Sequence, residues 1–359
     1  MRRWTGGLLA ALFVAVPLLA ADKPADAKGD DRAAQFKKVQ EDYLKAVPDA
    51  RKALETAKTP EDRKAVFQKL NKEFAPRILK LVEADPKDKL SFDMLTWATQ
   101  ALPDVDSKVF DSLAKYWAKD EKIKDLCRRL SMSPKEGTTK LLQKVLDDNS
   151  DKDAKGLACF ALAKAAADKA DKDPKDATKA SARAEQLYER VEKEFADVKL
   201  GRDTLGNQTK TALFEIRNLS IGKTAPNVES ENLDGKKVQL KDYKGKVVVL
   251  DIWATWCPPC RAMIPHEREM VKKLKDKPFA LISISADAKK DTLTKFIEDT
   301  PMPWTHWWNG QTGGILKDWN IRFFPTIYVL DAKGVIRYKH IRGPELEEAV
   351  EKLVAEAKK

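Results

Sequence analysis

Apolar positions recur every three or four residues through the first half of the chain, then give way to alternation and short unbroken runs. In AEQLYERVEKEF the apolar side chains stand at Ala184, Leu187, Val191 and Phe195, the period of a helix with one buried face. GLACFALAKAAADKA reads as another helical run. Between the two, DKDPKDATKAS is a polar break, with Pro174 and an N-cap candidate at Thr178. Further breaks at AKTPED, EADPKD, MSPKEG and DDNSDKD divide residues 31–219 into about eight or nine predicted helices. This is an all-helical domain.

The hairpin from Lys155 to Asp197 loosely resembles a tetratricopeptide unit, with small residues in its first helix and aromatic ones in its second. No clean repeat of fixed period supports an array. An irregular helical bundle fits the same pattern.

After Ser220 the period changes. GKKVQLKDY alternates after a turn at Asp234-Gly235 and reads as a strand, and KVVVLDIWA is the unbroken β-rich run of a central strand buried on both faces. FALISISAD and WTHWWN are further strands, KKDTLTKFIEDT and GGILKDWNI helices. TIYVLDAKGVIRYKHI is a hairpin turning at Asp331 to Gly334, and PELEEAVEKLVAEAKK a closing helix with Pro344 near its start. Strands alternating with helices over residues 220–359 predict an α/β domain built on a central mixed sheet flanked by helices.

Composition adds a compartment. MRRWTGGLLAALFVAVPLLAADK has a basic start, an apolar run from Leu8 to Ala20 and small residues at Ala20 and Ala21, so residues 1–21 read as a secretory signal peptide. The run is short for a membrane span of about 20 residues, and Pro17 interrupts it, which favours cleavage over an uncleaved anchor. No cysteine follows the run, which argues against a lipid-anchored form. The expected location is the periplasm or cell envelope of a bacterium, or the medium. The formal charge is +11, but the lysines interleave with Asp and Glu, as in EDRKAVFQKLNKEF. That is the mark of a solvated helix face, and nucleic-acid binding is not expected.

In that setting ATWCPPCRAMIP is the stretch that carries chemistry. Cys257 and Cys260 follow a predicted strand and open a helix. A helix N-terminus offers free N–H groups and partial positive charge, both of which favour a thiolate. Haem attachment needs a His after the second cysteine, where this chain has Arg261. A zinc site needs four ligands, and Cys127, Cys159 and three His supply no second ligand pair. A structural bridge has no use for the helix terminus. The pair reads as a redox dithiol, with neither cofactor nor metal expected. Cys127 and Cys159, in the helical region, are either bridged or two buried thiols.

From about Ile221 onward the chain resembles the thioredoxin-like thiol–disulfide oxidoreductases, closest to the exported TlpA-like and redoxin branch. WCPPC matches the family's W-C-x-x-C; Asp251 stands where the family has a buried acid that moves a proton to and from the second cysteine. Pro265 matches the proline that kinks the active-site helix, and NIRFFPTIYVL the loop whose cis-proline, here Pro325, faces the disulfide. Gly343 falls where the family has a glycine beside the same groove, and IGKTAPNVESENLDGKKVQLKDYKGKVVVL is similar to the extra N-terminal strands of that branch. The resemblance implies Cys257 as nucleophile, Cys260 as resolving cysteine and Asp251 as proton acceptor, with Trp256, Pro258, Phe324 and Pro325 contacting substrate. It implies protein thiols and disulfides as partners and a membrane redox protein as electron donor. An alternative reading makes the helical domain a protein-docking module and the redox domain its accessory.

Two positions depart from the pattern. Cytochrome-maturation reductases carry a Glu three residues after the second cysteine, where this chain has Met263. Phe323 replaces the small Gly that thioredoxins have two residues before the cis-proline, giving a bulkier apolar rim. A redoxin-type peroxidase is the alternative activity. Its P-x-x-x-[ST]-x-x-C pattern fails here, with Leu250 and Ala254 at the Pro and Ser/Thr positions. Pro258 and Pro259 lack N–H groups that could stabilise a thiolate, so a reductant's potential is expected. The tryptophans at 304, 307 and 308 read as strand packing, and His306 has no expected role.

Overall fold

The computed structural model describes residues 27–57, 59–172 and 176–357; the leader read at residues 1–21 and Pro174 lie outside them. Cα packing divides the chain into two compact units, one reaching Ala165 and including Gln186–Asn207, the other made of Ala166–Glu185 and Gln208 onward.

The first region is helical: α1 (Ala27–Thr56), α2 (Pro60–Ala84), α3 (Lys89–Ala101), α4 (Ser107–Tyr116), α5 (Ile123–Met132), α6 (Thr139–Asp148), α7 (Lys152–Lys172), α8 (Ala177–Glu194) and α9 (Leu205–Asn218). A two-residue ribbon, β1 (Lys199–Leu200) with β2 (Asp203–Thr204), precedes α9. Thr59 starts α2 with a reciprocal cap: its hydroxyl accepts from Asp62 N and its own N–H donates to the Asp62 carboxylate, both at 3.0 Å. The core of the first helices is aromatic. Tyr43 meets Phe74 and Trp97 edge-on at 5.5 and 5.3 Å. The expected N-cap at Thr178 is corrected: α8 begins at Ala177, two residues earlier than that cap implies, and the Asp176 carbonyl accepts its first backbone bond, from Ala180 N. In α7 every residue from Leu157 to Ala163 is buried, so the helix is enclosed on all sides there and shows no single apolar face.

The second unit is built on a seven-stranded mixed sheet. Its strands are β3 (Glu229–Asn232), β4 (Lys237–Gln239), β5 (Val247–Trp253), β6 (Phe279–Ser285), β7 (Thr305–Trp308), β8 (Thr326–Leu330) and β9 (Ile336–Lys339). Their order is β4-β3-β7-β6-β5-β8-β9. β6 pairs parallel with β5 and β7, and the other pairings are antiparallel. The helices are α10 (Pro258–Arg261), α11 (Ile264–Lys273), α12 (Lys290–Asp299), α13 (Gly314–Asp318) and α14 (Pro344–Glu356).

β5 is buried at all seven positions, which is why its sequence reads as an unbroken apolar run. Its residues Val248, Leu250 and Ile252 pack with Trp307 and Trp319 on one face; Val247 and Val249 pack with Met270 of α11, Leu274 at its C-cap and Val350 of α14 on the other. The edge strands are short. GKKVQLKDY yields only the three residues of β4, because Leu240 turns inward, donating its N–H to Val228 O, and the chain continues as a 3-10 turn over Leu240–Tyr243.

Candidate active site

The site grows from the C-terminal end of β5. Beyond Trp253 the chain leaves the sheet, and Asp287, just past the end of β6, holds the departing loop. Its carboxylate accepts from Thr255 N at 3.2 Å, from the Thr255 hydroxyl at 2.8 Å and from the Ser285 hydroxyl at 2.7 Å. Asp287 is buried, so these donors are what make its charge tolerable there. Trp308 donates its indole N–H to the carbonyl of the same residue.

Cys257 is the N-cap of α10, and its sulfur accepts from Cys260 N at 3.2 Å. Pro258 opens the helix, where a missing N–H costs nothing. Cys257 and Cys260 are joined by a disulfide. The helix then breaks: α10 is four residues long and α11 starts afresh at Ile264 with Pro265 in its first turn. The cysteines are 4% and 3% exposed while Trp256 is 58% exposed, so the bond is sheltered and the indole beside it is not. Pro258 is exposed as well.

Opposite in sequence, the Phe324–Pro325 peptide is cis. Phe324 packs edge-on to Trp256 at 5.7 Å, bringing the loop before β8 to the cysteine loop. Pro325 is buried, and its carbonyl accepts from the Arg342 guanidinium at 3.1 Å. Phe323 is 52% exposed, and its ring lies 5.3 Å from that of His340. Gly343, which precedes α14, has φ +58°, a conformation that disfavours any residue with a Cβ.

Asp251 is buried in the middle of β5, paired with Ser283 of β6 and Ile327 of β8. Its Oδ2 accepts from the Ser283 hydroxyl at 3.5 Å, and Ser283 in turn accepts from the Trp304 indole at 2.7 Å. Its Oδ1 has no hydrogen-bond partner. Burial pushes this carboxyl up to about 7, against the weaker pull of the Ser283 hydroxyl and the Arg342 charge. An acid that exchanges its proton near neutrality suits proton transfer to a thiol.

The structure brings Trp256, Cys257, Pro258 and Cys260 together on one loop and helix end, with Phe324 against Trp256. It places Asp251 within the strand that feeds them. Sequence reading missed Asp287, Arg342 and Glu267. Glu267 is a buried carboxyl on α11, 1% exposed. Each is a polar residue outside any motif, and only the fold shows which of them turn inward. The tryptophans at 304, 307 and 308 are sheet and loop packing; Trp307 is fully buried, and buried His306 bonds the Met302 carbonyl at 2.9 Å. Cys127 and Cys159 form no disulfide. Both are buried; burial raises the Cys127 thiol to about 12, and the Cys159 thiol donates to Leu187 O at 3.4 Å. Among the described residues no group of three or more His, Cys, Asp or Glu could hold a metal ion.

Residues 221–339 match the AhpC/TSA family. The chain is 34% identical over 135 residues to the thiol-disulfide oxidoreductase ResA of Bacillus thuringiensis, covering 37% of this chain and 76% of that protein. It is equally 34% identical over 135 residues to the thioredoxin-like protein YneN of Bacillus subtilis, covering 37% of this chain and 78% of that one. Over 153 residues it is 29% identical to the thiol:disulfide interchange protein DsbE of Vibrio cholerae, covering 40% of this chain and 81% of that one. With a cysteine pair at disulfide distance on the helix that follows the central strand, and with these relatives, the chain belongs to the thioredoxin-like thiol-disulfide oxidoreductases.

Proposed function

We propose that this enzyme works as a disulfide reductase on exported proteins, through the Cys257/Cys260 dithiol. The observation that carries the reading is the disulfide-bonded pair itself, capping a helix beside a strand that holds a buried acid. In the reduced protein the Cys257 thiolate attacks a partner disulfide and forms a mixed disulfide. Asp251 takes the Cys260 proton, Cys260 attacks Cys257, and the partner leaves reduced. Trp256, Pro258, Phe324 and Pro325 receive the substrate chain; the exposure of Trp256 and its packing against Phe324 support that role.

Export by the leader at residues 1–21 and re-reduction by a membrane redox protein complete the cycle. No helix among the described residues is long and apolar enough to cross a membrane. In this scheme the donor is another protein. The helical region serves as a docking domain, and the sheet-based part, whose core takes in Phe214 and Leu219, as the redox domain. The potential lies nearer the ~−270 mV of thioredoxin than the ~−120 mV of a strong oxidase, because neither proline between the cysteines donates to a thiolate.

Trapping tests the reading directly. In Cys260→Ser the mixed disulfide on Cys257 cannot resolve, so substrate proteins accumulate on it and are released by reductant; no trapped protein, or a potential at the oxidase end, sinks the proposal. The match to the AhpC/TSA family favours a second reading, peroxide reduction. Leu250 and Ala254 occupy the positions that chemistry needs for Pro and Ser/Thr, and the expected result is no peroxide consumption above a thiol blank.

A further inference from the structure

Met263 leaves the dithiol without the acid that related reductases carry three residues after the second cysteine. An acid nevertheless stands one helical turn further on. Along α11 and its two cap residues, Met263, Glu267, Met270 and Leu274 follow at steps of four, three and four, which places them on one stripe of the helix. Met263, Met270 and Leu274 pack in the cluster that holds Val247 and Val249 of β5. Side chains alternate along a strand, so Asp251 emerges on the same face of β5 as those two valines. Glu267 is 1% exposed and Asp251 3%. Glu267 Oε1 and Asp251 Oδ1 both lack a hydrogen-bond partner, so neither carboxyl is neutralised by a local bond at that oxygen.

We propose that Glu267 is a positioning residue of the dithiol centre: a second buried carboxyl that pairs with Asp251 and keeps its own proton while Asp251 exchanges one with Cys260. This deepens the redox reading of Cys257 and Cys260 and rests on it.

The surroundings support the pair. Asp251 is faced by the Ser283 hydroxyl from β6 and the Arg342 charge from the segment before α14. Around Glu267, the neighbouring basic side chains of α11 are engaged elsewhere: Arg268 donates to the Pro301 carbonyl at 2.6 Å, Lys273 bonds Glu347 at 2.9 Å and also Glu351, and the His266 ring lies 3.6 Å from Glu347. None of these side chains is spent on Glu267. Burial, and then the charge of Asp251, push the Glu267 carboxyl well up. Two acids in one low-dielectric site lose their protons in two steps that belong to the pair. In the resolving step the Cys260 S–H proton passes to the Asp251 carboxylate. The Cys260–Cys257 bond forms, the bond from Cys257 to the partner sulfur breaks, and the partner leaves as a thiolate that takes a proton from water. Glu267, protonated throughout, lets Asp251 ionise without a second buried negative charge beside it.

The test uses the full chain, with carboxyl-carbon NMR of labelled Asp and Glu and the pH profile of insulin-disulfide reduction. The wild type is expected to show two coupled carboxyl steps and two inflections in the profile. E267Q, nearly the same shape, loses the upper step and the upper inflection. E267L, which suits the apolar stripe, loses them too. D251N moves the Glu267 midpoint down, because the neighbouring charge is gone; a Glu267 with a purely structural role keeps its midpoint in D251N. Unchanged pH profiles in E267Q and E267L, or an unmoved Glu267 midpoint in D251N, overturn the pair. Absence of insulin reduction by the wild type overturns the reductase reading instead, while the carboxyl titrations still decide the pair.

Discussion

A single buried carboxylate joins the chemistry of this protein to its stability. In an unfolded chain Asp251 titrates near 3.9; in the folded protein burial holds it at about 7. Between those values the folded state binds more protons than the unfolded one, so stability falls as pH rises through the window. Below the lower value the residue carries no penalty; above the upper one the penalty is full. At about 1.4 kcal/mol per tenfold change in proton affinity, the full penalty is on the order of 4 kcal/mol. Asp251→Asn, which cannot ionise, is therefore expected to unfold at higher urea than the wild type at pH 8, with the gain shrinking towards pH 5. The same variant is expected to resolve mixed disulfides more slowly, since Cys260 has lost its proton acceptor. Stopped-flow release of a trapped peptide measures that rate. A gain equal at both pH values would show that Asp251 is not held neutral by burial.

At the scale of elements, the site depends on how a loop is held between β5 and α10. The Asp287 carboxylate gathers two bonds from Thr255 and one from Ser285. Asp287→Ala leaves buried donors unpaired, at about 1–3 kcal/mol each. The expected result is a lower urea midpoint, and slower alkylation of reduced Cys257 if the loop loses its geometry; an unchanged midpoint would remove Asp287 from this account. The sequence reads well at this scale where pattern and burial coincide: β5 and β6 are apolar runs, and α14 buries Leu346, Val350, Leu353 and Val354 at helical spacing. It reads poorly where a polar residue turns inward. Asp287 and Glu267 look like surface acids in SISAD and HEREM, and only the packing of β6 and α11 shows otherwise. The departure of β4 from the alternating stretch has the same origin, since Leu240 trades its strand position for burial.

For the whole molecule, the division near residue 220 suggested by composition cuts through a packed core. Leu219 is fully buried among the residues of the sheet's inner cluster, and Phe214 packs against it. A redox fragment beginning at Gln208 keeps both, and is expected to reduce insulin within about threefold of the full chain while one beginning at Ile221 is less stable, by about 2–5 kcal/mol for the lost core side chains. Thermal unfolding of the two fragments checks this; equal melting points would assign Leu219 no part in the core. The dithiol was legible because its spacing and flanks are local. The helical units were legible only as helices, because their contacts are set by residues far apart in sequence.

The two outer strands of the sheet have one further consequence. β4 is three residues and β9 four, each carries lysine, and Lys339 on β9 is held by Asp171 at 3.1 Å. A short, charged border gives a neighbouring chain little to zip onto. Copies of the chain laid side by side therefore find little free edge along which to grow into ribbons.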